Sequence, residues 1–443
     1  MNKYTLFIIY LFVSSTLIYC QNTDTTFYKG SYSFIVDSIY ISGNNKTKNE
    51  IILKEITCNI GDTVNSKILE YNKERIYSLG LFTSVRAIPY KINNKSIIEF
   101  KVEESWYIYP VPFLQLKDRD WNKLSYGLAF LMYNFRGRNE TLAFRGALGY
   151  DPSLQFSYRN PYLILDKNIS FDISLNLQKV RSQSNIAKRL AGYDFDKNVY
   201  SVNITVGKRL NIYNKVNLSA SFSSIEIPFY IRGISASDNR VDNLFSLAFN
   251  YSFDNRDLRQ FPSEGFYTSS LFQLKGLGID GIAYQVFNFD IRKYFKLFNK
   301  FILKGRFASR FTFGNLIPYY DKSFLGFNER IRGHFYDEME GNNYYWGSVE
   351  ADIPIIKDFN IKLDFLPLLP KSLVSYRVAL YLQLFVDTGM TQNKNEALSI
   401  NKLNSGYGIG LTLLILPYDV FRLERAWDEF GNPEWIFDVG VSF

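Results

Sequence analysis

Three charged residues, Arg332, Glu350 and Asp387, have the types and the strand phase to form a buried ion cluster. Glu350 alternates with Val349 and Ala351, and Asp387 with Val386, so both carboxylates fall on the polar side of an apolar–polar strand. A guanidinium presents five donors in a fixed fork and can serve two carboxylates at once. Arg332, with Gly333 beside it, lies in a stretch (320–340) whose charges and aromatic residues do not suit a loop left in water. Folded inward, that stretch forms a latch; the alternative is ordinary charge balance on a polar strand face. Asp254, Arg256 and Asp257 stand at a strand end before a turn closed by Pro262 and Gly265. There the side chains either cap the local backbone and pair across the hairpin, or offer a surface to a partner.

Other chemistry is poorly provided for. The single histidine, His334, and two cysteines, Cys20 and Cys58, leave little for a His/Cys zinc site. Cys20 is expected to leave with a signal peptide, so Cys58 has no disulfide partner. Glu103 and Glu104 end a strand at a domain junction, where a solvated linker is expected instead of acid–base catalysis. No nucleophile elbow, phosphate loop or zinc-protease motif occurs. Gly406, Gly408 and Gly410 alternate along a strand with no helix after them, so they make room for bulk on one face. No enzyme activity, cofactor or metal is expected.

Composition sets the frame for these residues. Of 443 residues, 47% are hydrophobic and 17% aromatic, yet mean hydropathy is slightly negative at −0.13, so apolar residues are interleaved with polar ones. A helical membrane protein would gather them into runs of about 20. The net charge of +8 is spread along the chain, with no basic helix to suggest nucleic acid. Residues 1–20 have the form of a signal peptide, with Lys3 before an apolar core at 6–13. Acylation of Cys20 is the rival reading, disfavoured by the bulk of Tyr19. Residues 21–33 read as a flexible leader.

Residues 34–104 behave as a small α+β domain. A strand at 35–43 precedes a helix opening at Thr47, which with Glu50 fits a capping box. A second helix carries Ile68, Leu69, Ile76 and Leu79 on one face and stops at Gly80. Strands at 82–92 and 96–103 complete a β-α-α-β-β order.

From 105 to 443 no helical period appears. Strands of roughly 10 residues, the tilted span of a bilayer, recur between Gly, Asn, Asp and Pro turns. In 377–389, Val378, Leu380, Leu382, Leu384 and Val386 oppose Arg377, Tyr381, Gln383 and Asp387. At the C-terminus Trp435, Phe437, Val439, Val441 and Phe443 share one face. The expected fold is mainly β: a transmembrane antiparallel barrel of about 16 strands after one α+β domain. An open edge in lipid costs several kcal/mol per unpaired backbone group, which demands closure. Pro110 and Pro112 remove ladder donors, so the junction of first and last strands should hold the fewest hydrogen bonds.

The sequence resembles the BamA/TamA family of outer-membrane assembly and translocation proteins. "IYISGNNKTKNEII", "GDTVNSKILEYNKERIYSLGLFTSVR" and "IEFKVEE" are similar to one POTRA domain. "YSFDNRDLRQFPSEGFY" (251–267) resembles the family's periplasmic D-x-R-D…P-x-x-G hairpin, and "IRGH" (331–334) the V-R-G-F/Y loop tip. "GSVEADIP" (347–354) resembles the strand with an inward Glu, "FVDTG" (385–389) the F-x-D-x-G inner-wall motif, and the terminal aromatic a C-terminal sorting strand. Two departures stand out: His334 replaces an aromatic residue, and only one POTRA-like unit is present. The resemblance implies a bacterial outer-membrane barrel with its N-terminal domain in the periplasm. It implies contact with outer-membrane lipid, client polypeptides and accessory periplasmic subunits. Clients would add to a POTRA strand edge and pass the seam between first and last strands. A passive pore, or a secretion pore for one partner, are the alternatives.

Overall fold

The computed structural model describes residues 25–443 except 29, 31, 117–120, 183, 231–234, 299–300, 327–328, 335–336, 364–369 and 371. The signal expected over 1–20 lies outside the described residues.

The N-terminal domain is a mixed sheet backed by two helices. The antiparallel pair Phe82–Ile92 and Lys95–Glu104 is its centre, with Ser38–Ser42 added in parallel on one side. Helix Ser66–Tyr77 is capped by Asn65, whose side chain accepts from Ile68 N at 3.0 Å, and Gly80 follows it at φ +71°. Leu69 and Ile76 from this helix pack against Phe82, Ile98 and Phe100 in the domain core.

Three expectations need correction here. The leader is not featureless, because Thr25–Phe27 adds to the edge of Phe82–Ile92 at Tyr90–Ile92 and Tyr28 stacks on Phe34. The first helix is only Asn49–Leu53 and Lys48, not Thr47, is its cap. Thr47 is instead held by Glu104, which accepts from its backbone N at 2.7 Å and its Oγ1 at 2.6 Å. Glu104 is therefore a tie between elements rather than part of a solvated linker. A charged acceptor reached through the tertiary fold outcompetes the local cap.

The rest of the chain is a 16-stranded antiparallel sheet running in chain order from Ile108–Leu116 to Pro433–Val439, with the short strands Ser323–Leu325 and Met339–Gly341 paired to each other in the loop between Phe301–Gly314 and Asn343–Lys362. Period 2 sorts the residues. Along Ser375–Gln392, Leu384 and Val386 lie exposed outside, while Ala379, Gln383, Phe385 and Asp387 are buried inside. Strands range from 7 to 20 residues, so several outrun the roughly 10 that cross a bilayer. One short helix, Asn185–Ala191, escaped the sequence reading; at 7 residues it is too brief to show a period. It sits in a loop at the end of the barrel away from the N-terminal domain, where Ala187 packs with Phe195 and Tyr319.

The lumen changes character along the sheet. Thr205, Asn217, Ser219, Asn250 and Ser269 line part of a cavity of about 610 Å³ with hydroxyls and amides, and Asp290, Arg306 and Arg310 on the next two strands add charge to it. The first and last strands do not close the sheet. Among the described residues no backbone ladder joins Ile108–Leu116 to Pro433–Val439. This goes further than the thin junction expected from Pro110 and Pro112. Outward Leu114 on one edge, and Trp435 and Phe437 on the other, remain exposed.

Candidate functional site

The long stretch between Phe301–Gly314 and Asn343–Lys362 folds back into the barrel from the end opposite the N-terminal domain. Its tip is Ile331–Arg332–Gly333–His334. Arg332 makes the fork geometry available to guanidinium. Nε donates to Asp387 Oδ2 at 2.7 Å and Nη2 to Asp387 Oδ1 at 2.8 Å. Nη1 donates to Glu350 Oε2 at 3.2 Å and to Glu424 Oε1 at 3.0 Å. Its backbone N reaches Asp387 Oδ2 as well, at 3.1 Å. The guanidinium lies over the Phe385 ring, 3.6 Å from its centroid. Gly333, at φ +101°, donates its N to Glu434 Oε1 at 2.6 Å. A Cβ there would stand 2.7 Å from Trp427 O.

The alternate glycines explain how the tip fits. A Cβ on Gly406 would fall 1.7 Å from Arg332 O, and one on Gly408 would fall 2.5 Å from Phe385 Cζ. Strand Asn404–Leu416 is therefore a trench into which the loop backbone and the ring beneath it settle. Sequence reasoning missed Glu424, Glu434 and Lys304. Glu424 lies on the inward phase of Asp419–Asp428 with Arg422, Ala426 and Asp428, so the same period-2 counting would have found it. Lys304 is fully buried, pairs with Asp352, and donates to Glu350 at 3.1 Å. His334 sets its ring between Asp337, at 2.7 Å, and Glu429, at 2.6 Å. A hydrogen-bonding ring suits that polar site where an aromatic hydrocarbon would not.

The hairpin residues lie at the other end, against the N-terminal domain. Arg256 forks onto its own Asp254 at 2.9 and 3.0 Å. Asp257 caps the turn, accepting from Ser263 N at 2.9 Å and Glu264 N at 3.2 Å. Gly265 is at φ +121°, and a Cβ there would sit 2.6 Å from Arg256 Cα. Pro262 is buried behind Phe261, whose ring meets Tyr381 and Lys304 in the lumen. The turn also meets the domain: Tyr71 OH donates to Asn255 O at 3.0 Å, and Arg259 N donates to Ser78 Oγ at 3.0 Å.

Glu55 is the electrostatic centre of that contact. It pairs with Arg75 of its own domain at 2.7 Å, Arg209 of the barrel at 2.8 Å, and Arg259 of the hairpin turn at 3.9 Å. Burial pushes its carboxyl up, but the guanidiniums of Arg259, Arg209 and Arg75 outweigh burial and hold it below the ordinary carboxylate range. A depressed folded-state value means the stabilisation is complete above the ordinary carboxylate range and is lost as pH falls through the lowered value. Acidification should therefore free the domain from the barrel, seen as faster proteolysis near residue 105. Glu55→Gln should be cleaved readily at neutral pH and respond little to acid. An unaltered pH profile in that variant would contradict the assignment.

The terminal strand divides in two. Trp435, Phe437 and Val439 face outward and exposed, as their alternation requires. Val441 and Phe443, expected on the same face, do not follow. Gly440 takes φ +104° and turns the backbone inward, so Val441 is half-buried and Phe443 fully buried in the lumen. Phe443 is thus no interface anchor in this conformation.

Antiparallel strands with an apolar outer face, a polar lumen and a small α+β domain beneath define a transmembrane β-barrel with an N-terminal α+β module. Residues 134–443 match the Omp85 superfamily domain, and residues 34–105 match the POTRA family described as a surface antigen variable number repeat. The chain belongs to the Omp85 superfamily, whose barrels sit in the outer membrane with their POTRA domains in the periplasm. Its fold is similar to that of BamA from Haemophilus ducreyi lacking POTRA domains 1–3, with TM-score 0.55 and 16% identity over 92% of this chain and 84% of that one. CdiB from Escherichia coli is similar at TM-score 0.55 and 10% identity, over 92% and 79% of the two chains.

Proposed function

We propose that this chain is a protein-handling barrel: it assists insertion, assembly or translocation of other polypeptides at the bacterial outer membrane, with residues 34–104 in the periplasm and 1–20 removed as a signal. The observation that carries this reading is the unpaired seam. Two strands in a membrane-spanning wall present free backbone N–H and C=O groups, which lipid cannot satisfy and an added strand can. The POTRA domain supports the same mode. Thr25–Phe27 already adds to the Phe82–Ile92 edge as an extra strand, as a client segment would. Arg332 and the carboxylates around it act as the latch that keeps the lumen shut while the seam works. Outer-membrane lipid and accessory periplasmic subunits are the remaining partners in this scheme.

Depletion of the protein should remove a defined set of other outer-membrane or surface proteins from the membrane inventory. An unchanged inventory would argue for the second reading, a passive pore, which the hydroxyl- and amide-lined cavity favours. Single-channel recordings separate the two: a latched machine gives small, flickering openings, and a pore gives a large, steady one.

A further inference from the structure

The loop and the chain terminus share their supports. Beyond Val439, Gly440 N donates to Val420 O at 2.6 Å and Gly440 O accepts from Arg422 Nε at 2.9 Å, fixing the inward bend. Ser442 Oγ then donates to Glu350 Oε1 at 2.9 Å, on the same carboxyl group that takes Arg332 Nη1 through its other oxygen. Tyr294 OH donates to Phe443 O at 3.2 Å. The Phe443 ring stands edge-on to Trp346 with centroids 6.3 Å apart, and the Trp346 indole N–H donates to Arg330 O of the loop at 2.8 Å. Ile331, next to Arg332, is buried in the same apolar cluster as Phe443, Leu325 and Ala308. One carboxylate, one indole and one apolar cluster therefore hold the tail and the loop together.

The tail is also the continuation of the seam strand. Pro433–Val439 pairs with Asp419–Asp428 on one side and, among the described residues, has no ladder on the other. A strand that pairs along the free edge past Val439 must draw residues 440–443 into line, out of the lumen. We propose that the C-terminal tail is a tether by which strand addition at the seam releases the Arg332 loop: an extended polypeptide lengthens the ladder, Ser442 leaves Glu350, Phe443 leaves Trp346, and the loop loses its floor. Coupling of this kind requires one element with two arrangements that both sites bias, and the bend at Gly440 supplies it. The partner's role rests on the protein-handling reading; the tether itself does not.

The test uses the chain from residue 21 onward, which lacks Cys20, in lipid vesicles without any client. In a Cys58→Ser background, Ile331→Cys reports exposure of the loop tip to a membrane-impermeant maleimide. Ser442→Ala combined with Phe443→Leu keeps a folded tail yet removes the hydrogen bond and the ring. Labelling should rise on the order of tenfold, within the range of couplings between two sites, and Phe443→Trp with Ser442 intact should stay protected. Single-channel openings should grow more frequent in parallel. Protection of Ile331→Cys in the double variant, with the barrel still shifting in mobility on heating, would overturn the tether. Release of the loop in that variant, together with an unchanged outer-membrane inventory on depletion, would keep the tether and reject the protein-handling reading.

Discussion

Arg332→Ala will unseat the loop and raise ion leakage through the barrel while leaving the wall assembled. The guanidinium serves three buried carboxylates, and their losses differ. Glu350 keeps Lys304, and Glu424 keeps Arg422 at 2.9 Å. Asp387 keeps Ser348 Oγ, at 2.6 Å, and the backbone N of residue 332 while the loop stays seated, but among the described residues it pairs with no second cation. Removing one partner of a well-buried pair costs about 3–5 kcal/mol, mostly because the other charge is left without compensation. Asp387→Ala should thus give a similar phenotype. The double variant should be less than additive, since both changes delete one contact. Arg332→Lys should rescue poorly, because an ammonium cannot fork onto Asp387 and reach Glu350 and Glu424 together. Conductance and thermal melting of the four proteins check this. Fully additive defects, or leakage in Arg332→Ala no greater than in the parent, would remove the latch.

The second large effect concerns the wall. Leu384 lies near the middle of Ser375–Gln392, faces outward, and pairs with Ile409 of the next strand. An arginine at the bilayer midplane costs about 2–4 kcal/mol on a barrel's lipid face and about 0–1 kcal/mol near the interface. Leu384→Arg should sharply reduce the heat-modifiable form recovered from outer membranes. Tyr126→Arg, close to a strand end, should assemble almost normally. Equal recovery of the two variants would mean that this face does not meet lipid.

The same two positions show what the sequence made legible. Leu384 and Asp387 lie on opposite phases of one strand, and alternation alone sorts lipid face from lumen. Arg332 was readable as a cation needing partners, and two of its carboxylates were readable from phase. Glu424 was equally readable by phase, but no motif drew attention to it. Phe443 was not readable. Its alternation with Trp435 and Phe437 is regular, and only the positive φ of Gly440 redirects it. A glycine permits that bend without specifying it. Thr47 failed for a different reason: its preferred acceptor, Glu104, is 57 residues away in sequence, beyond any local cap rule. The seam was half legible, since Pro110 and Pro112 mark a poor ladder but not an absent one.

The glycine trench bears on the order in which this molecule is built. Glycine in a strand gains no side-chain packing and loses more backbone freedom on ordering than any other residue. Asn404–Leu416, with Gly406, Gly408 and Gly410 on its inner side, is therefore a weakly specified strand while the chain is still assembling. The missing side chains are replaced from elsewhere, by the Arg332 backbone over Gly406 and the Phe385 ring over Gly408. The wall can be laid down first as a soft surface, and arrival of the loop hardens it. Rigidity of the C-terminal strands should therefore follow seating of the loop, and hydrogen exchange along Asn404–Leu416 should quicken when the loop is unseated.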